Sequence, residues 1–180
     1  VLHGVILRTR PKRSAHAYQK IWTPDGSPLL IESRKLTAGL AERLQQRFGD
    51  DVSVDLAMTY GQPSIKSVLA RFREQNVQRL LVLPLYPQYS STTTGSIFAF
   101  VTGELSQWRW MPELRFVNQY WERESYLSGV ADSVAKHWET HGRKHLLFSF
   151  HSIPKRYFLA GDPYHCFCLG TARGVAQRLG

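Results

Sequence analysis

Leu80 to Leu83 form the run LLVL, which Pro84 cuts off. A strand that is apolar on both faces cannot turn either face to water. The run therefore predicts a strand buried inside a parallel sheet. Three further segments read as strands: VSVDLAMTYG (52–61), ELRFVNQY (113–120) and KHLLFSFH (144–151). Helical patterns alternate with them. In GSPLLIESRKLTAGLAERLQQRFGD, Ser27 is the N-cap and Pro28 takes the first helical position. Leu29, Leu36, Leu40, Leu44 and Phe48 recur at helical spacing, and Gly49 suits the C-terminal cap. Helices are also expected in SIKSVLARFREQ (64–75, capped by Ser64), GSIFAFVTGELSQW (95–108), SYLSGVADSVAKHWETHG (125–142) and DPYHCFCLGTARGVAQRLG (162–180).

This alternation predicts an α/β, Rossmann-like three-layer domain whose parallel sheet is covered on both faces. In such sheets ligands bind outside the carboxyl ends of the strands. Three turn-rich loops follow predicted strand ends: TYGQPS (59–64), LYPQYSSTTTGS (85–96) and HSIPKRY (151–157). They are expected along one edge of the sheet. ETHGRKH (139–145) is short and polar and contains Gly142, a helix stop. It sets a domain boundary, with residues 1–142 as a first α/β domain and 143–180 as the opening of a second.

Composition narrows the function classes. Of 180 residues, 43% are hydrophobic and 21% charged, enough for a sizeable core. No apolar run approaches the ~20 residues of a membrane span. The first residues, VLHGVILRTRPKR, are too short and basic for a secretory signal. Without an initiator Met, the chain reads as an internal piece of a longer protein. Cys166 and Cys168 are too close in sequence for an ordinary disulfide, and a cytosolic setting is expected. The formal charge of +9 favours anionic partners, among them acidic membrane surfaces and carboxylate-bearing ligands. Apart from RTRPKR (8–13) the basic residues are scattered, which argues against a nucleic-acid stripe. No Gly-rich phosphate loop, nucleophile elbow or C-x-x-C pair is present.

Two stretches carry chemistry. In Tyr86-Pro87-Gln88-Tyr89-Ser90-Ser91-Thr92-Thr93-Thr94-Gly95, two aromatics and five hydroxyl side chains follow a buried strand. Loop formation and helix capping account for such residues equally well. Alternatively, they form a wall of apolar faces and hydroxyl donors for a large planar ligand. In LLFSFHSIPKRY (146–157), His151 ends an apolar run. It is either a hydrogen-bonded core residue or a base or metal ligand at a strand end. Among Arg8, Arg10, Lys12 and Arg13, one could clamp a carboxylate.

These motifs, in this order, resemble the ferrochelatase family. RPKRSAHAYQKIW with GSPLL is similar to its early segment, and MTYGQPS to its second loop. LPLYPQYSSTTTGS is similar to its central stretch. LLFSFHSIPKRY, GDPYHCFC and TARGVAQRLG resemble its histidine motif and the helix beyond. The resemblance implies two similar α/β domains with a porphyrin cleft between them, a chelatase-like fold. This chain would hold most of the first domain and the start of the second, and alone would be inactive. It implies insertion of ferrous iron into protoporphyrin IX or coproporphyrin III, with iron as substrate and no prosthetic group. His151 would act as base or metal-side ligand. Arg10, Ser27, Tyr86, Ser90, Thr92, Thr93 and Thr94 would contact porphyrin, with Arg10 meeting a propionate. Many members have Arg where Thr59 stands, which weakens anion contact at that loop. Some carry an iron–sulfur cluster, but a C-x-C pair alone cannot supply the usual four thiolates. A chelatase for another metal and tetrapyrrole, or a porphyrin-binding module without catalysis, are the alternatives. Peripheral membrane contact is open, and no nucleic-acid partner is expected.

Overall fold

The structure is a computed structural model that describes Ala15 and residues 18–180. The basic residues Arg8, Arg10, Lys12 and Arg13 lie outside the described residues. The chain divides into two compact units, Val1–Ser64 and Ile65–Gly180.

In the first unit, Thr23 and Gly26 close a tight turn by exchanging backbone hydrogen bonds at 3.0 Å. Gly26 sits at φ 113°, a conformation that costs a side-chain-bearing residue strain. Helix α1 (Pro28–Phe48) follows as its sequence predicts. Ser27 Oγ accepts from the Leu30 amide at 3.2 Å, and Pro28 occupies the first position. Gly49 ends the helix at φ 66° and donates its N–H to the Gln45 carbonyl. The predicted strand at 52–61 is absent. That segment carries one isolated bridge, Met58 to Ser64, with the Met58 amide on the Pro63 carbonyl at 2.7 Å. A strand needs a ladder of partners, and here the chain turns back on itself at Gly61–Pro63 instead.

The second unit contains α2 (Ile65–Glu74), β1 (Arg79–Val82), α3 (Thr94–Leu105), β2 (Glu113–Phe116), α4 (Glu124–His141), α5 (Lys155–Leu159) and α6 (Tyr164–Leu179). Strands β1 and β2 pair in parallel, from Arg79 opposite Glu113 to Val82 opposite Phe116. Parallel neighbours require a crossover, which α3 provides. One core joins Val68, Leu69 and Phe72 of α2, Leu80 of β1, and Val101 and Leu105 of α3. The sheet is covered on one face only among the described residues. Leu80 is 8% exposed, but Leu81, pointing the other way, is 64% exposed. The apolar run was expected to be buried on both faces. The pleat sends alternate side chains to opposite faces, and α2 and α3 pack on the Leu80 face.

A second core joins Leu127 and Ala131 of α4 to Val175 of α6. Gly174 permits this contact, since a Cβ there would lie 2.9 Å from a Leu127 methyl. The strand expected at 144–151 is absent too, and residues 143–154 carry no regular structure. They make no backbone ladder with β1 or β2. Phe148 packs on the α4–α6 core instead, while Leu147 is 88% exposed. Apolar composition alone does not make a strand when no neighbouring edge among the described residues receives its amides. Among the described residues no helix is long and apolar enough to cross a membrane.

Candidate functional site

Loop 83–93 leaves the carboxyl end of β1, and loop 117–123 leaves the corresponding end of β2. They meet where the Tyr120 amide donates to the Pro87 carbonyl at 3.0 Å. Tyr120 stacks edge-on against Tyr126, with ring centroids 5.6 Å apart. Burial, and secondarily Tyr126, push its phenol up to about 12, so it stays protonated. Trp121 lies against Phe167 of α6 with centroids 4.9 Å apart.

The hydroxyl loop is tied to α6 by two sets of polar contacts. Gln88 Nε2 donates to Thr171 Oγ1 at 2.9 Å, a buried pair. Asp162, just before α6 and 9% exposed, makes the second set. Its Oδ2 accepts from the Ser91 amide at 2.8 Å and from the Ser90 and Ser91 hydroxyls at 2.9 Å each. Its Oδ1 accepts from the Tyr164 amide at 3.1 Å. Burial pushes the other way, yet these donors together hold the Asp162 carboxyl below its ordinary range. A carboxylate that accepts several hydrogen bonds can be buried at tolerable cost.

Ionised Asp162 can only accept, which fixes the direction of the hydrogen bonds around it. Ser90 and Ser91 give it their hydroxyl protons. Ser90 Oγ lies 2.9 Å from Thr92 Oγ1, and Thr92 must be the donor in that pair because the Ser90 proton is spent. The Thr93 hydroxyl points to the Ser90 carbonyl at 3.4 Å, a long contact. Of the hydroxyl wall expected from sequence, Ser90, Ser91 and Thr92 therefore turn their protons inward, because the buried Asp162 carboxylate draws them.

His151 is exposed. Its Nδ1 lies 2.7 Å from the Ser152 carbonyl oxygen. A carbonyl only accepts, so Nδ1 carries the proton and Nε2 of the neutral ring keeps its lone pair. The ring is thus prepared to take a proton or bind a metal through Nε2. The Tyr164 hydroxyl faces the His151 backbone amide and the Cys168 thiol. Burial, then Cys168, push that phenol up to about 12. Burial also raises the Cys168 thiol, while Cys166 is exposed and both are free. Among the described residues no three His, Cys, Asp or Glu side chains are placed to hold a metal ion.

The residues expected to meet porphyrin lie as follows. Arg10 is outside the described residues. Ser27 caps α1 in the first unit. Tyr86 and Thr92 are exposed, Thr93 is half-buried, and Ser90 and Thr94 are fully buried. Asp162, Tyr164, Gln88 and Trp121 were not singled out from the sequence. The one signal for Asp162 was its place before Pro163 at a helix start, where Asp is common for its own capping role.

A parallel strand pair with a helical crossover, and polar loops meeting past the strand ends, defines an α/β protein of the kind that takes a ligand at that edge. A family model for ferrochelatase matches residues 1–180. Curated ferrochelatases align over the whole chain. That of Thioalkalivibrio sulfidiphilus is 54% identical, with 49% of its own length covered. Those of Pseudoalteromonas atlantica and Marinobacter nauticus are 52% and 49% identical, with 50% and 49% covered. The chain belongs to the ferrochelatase family. It spans about half the length of the curated relatives it matches.

Proposed function

We propose that this protein is a ferrochelatase, a lyase of haem biosynthesis that inserts ferrous iron into protoporphyrin IX or coproporphyrin III. The free-base macrocycle gives up two pyrrole protons as the divalent ion enters, so charge and protons balance. Iron is the substrate and not a resident cofactor. The observation that supports the reading beyond family membership is the His151 ring. Its Nδ1 proton is committed to Ser152, and Nε2 is left to accept a pyrrole proton or to face the incoming ion. Tyr86 offers an exposed flat face suited to a macrocycle; in the same loop Thr92 is exposed, Thr93 is half-buried, and Ser90 and Thr94 are buried. Arg10 would meet a propionate, and Ser27 would contact the porphyrin. The work is cytoplasmic, and the +9 charge favours peripheral contact with an acidic membrane. Residues 143–180 would open a second α/β domain, with α6 packed across that boundary on α4.

The test uses the protein as its gene encodes it, with anaerobic ferrous iron and a dicarboxylate porphyrin. Haem absorbance should appear with wild type. His151→Ala should lose most turnover, on the order of 100-fold or more for a lost proton acceptor, while porphyrin binding remains. Near-normal insertion by His151→Ala removes the base-or-ligand role. Faster insertion of cobalt or nickel into a different tetrapyrrole replaces this reading with another chelatase. Porphyrin binding without insertion by wild type leaves a binding module.

A further inference from the structure

We infer that Asp162 sets the polarity of the hydroxyl loop, so that Thr92 meets a ligand as a hydrogen-bond acceptor and cannot hold a porphyrin carboxylate through its hydroxyl proton. The inference rests on the porphyrin reading and deepens it, since it decides which part of the macrocycle this loop receives. The chain of bonds runs one way. Thr92 donates to Ser90, and Ser90 donates to Asp162. Ser90 Oγ also accepts from the Thr92 amide at 3.3 Å, so both its acceptor sites are used. Ser91 donates to the same carboxylate oxygen through amide and hydroxyl. Reversing the buried Ser90 hydroxyl would set an oxygen lone pair against the carboxylate, and turning the exposed Thr92 hydroxyl outward would leave two oxygen lone pairs facing each other across the 2.9 Å to Ser90. That costs more than the one bond gained outside.

What remains on the exposed side of Thr92 is lone-pair density. It suits a donor, such as a pyrrole N–H or the water of a hydrated cation, and it repels a propionate. The propionates must then be held elsewhere, by groups that keep protons or positive charge. Asp162 touches no ligand in this account. It is a positioning residue that acts through Ser90 and Thr92.

The experiment compares a dicarboxylate porphyrin with its dimethyl ester, in the same detergent, by quenching of intrinsic fluorescence. It uses wild type, Thr92→Val and Asp162→Asn of the protein as its gene encodes it. Thr92→Val should change both affinities by the same factor. In Asp162→Asn a neutral carbonyl replaces the carboxylate as the acceptor for Ser90 and Ser91, which weakens the pull on their protons and lets the hydroxyl chain turn outward more easily. The preference for the diacid over the diester should then rise about fivefold, the worth of one net hydrogen bond. A tenfold loss confined to the diacid in Thr92→Val overturns the inference, as does an unchanged preference in a folded Asp162→Asn.

A second measurement does not need porphyrin. The Ser90 hydroxyl proton is fully buried and should give a slowly exchanging NMR signal in wild type, lost in Asp162→Asn. If wild type binds neither porphyrin, the functional reading fails and this signal alone decides the polarity. Fast exchange in wild type overturns it. If Asp162→Asn does not fold, the Thr92→Val pair and the wild-type signal still decide.

Discussion

A Cβ at position 170 would lie 2.3 Å from Cζ3 of Trp121, with two more ring atoms at 2.9 and 3.0 Å. Gly170 is therefore where α6 lets the loop after β2 come down on its surface. The indole stacks on Phe167 one turn earlier. Ring atoms are not the movable end of a flexible chain, so a methyl group there must displace the whole side chain. We predict that Gly170→Ala destabilises the protein by about 1–3 kcal/mol, the usual range for overpacking, despite the gain in helix propensity. Urea unfolding measures it. A neutral or stabilising result would mean that Trp121 does not rest on α6.

Thr94 Oγ1 is buried and, among the described residues, has no hydrogen-bond partner. An orphaned buried hydroxyl carries a desolvation cost of about 1–3 kcal/mol with nothing to offset it. Thr94→Val keeps the shape and removes that cost. Its urea midpoint should be unchanged or higher. A clear drop would reveal a partner for the hydroxyl. Loss of porphyrin affinity with stability kept would set that hydroxyl against the ligand.

Local chemistry was readable and distant pairing was not. Ser27, Pro28 and Gly49 delimit α1 because a cap, a fixed φ and a positive φ are each decided within a few residues. Leu80 and Leu114 mark their strands because β1 and β2 find each other across one crossover. The segments 52–61 and 144–151 have strand composition, but a strand also needs an edge to pair with, which composition does not encode. Asp162 was unreadable for a similar reason. Its serine partners are 71 and 72 residues away, so no window of sequence holds the network. The run Ser90–Thr94 was noticed, but its proton direction depends on that remote carboxylate. His151 was singled out from its place at the end of an apolar run and from its motif, although the strand assumed to carry it does not form.

In the first unit, the Ser27 cap can be tested alone. Its Oγ satisfies the Leu30 amide, one of four that the start of α1 leaves without helical partners. We predict that Ser27→Ala costs about 1 kcal/mol and Ser27→Gly only a few tenths. The comparison matters because Gly also tolerates the extended backbone there. Equal losses for both would point to a role for Ser27 other than capping, such as contact with substrate.

Acid should weaken the tie between the hydroxyl loop and α6. The donors on Asp162 lower its folded pKa below that of the unfolded chain, which is about 4. The native state therefore holds the carboxylate more readily than the unfolded state does. The stabilisation this provides is fully present above the unfolded pKa and is lost as pH falls through the folded value. Asn at this position cannot titrate, so it has no such dependence. We predict that wild type is more stable than Asp162→Asn at pH 7, and that the gap narrows steadily below about pH 4. The Ser90 and Ser91 hydroxyls would then face a protonated acid, which can donate as well as accept, and the inward direction of their protons would no longer be enforced. Denaturant unfolding of both proteins from pH 7 to pH 3 provides the curves. A gap that stays constant over that range would mean that Asp162 titrates as it does in the unfolded chain, and the network would then owe nothing to its charge.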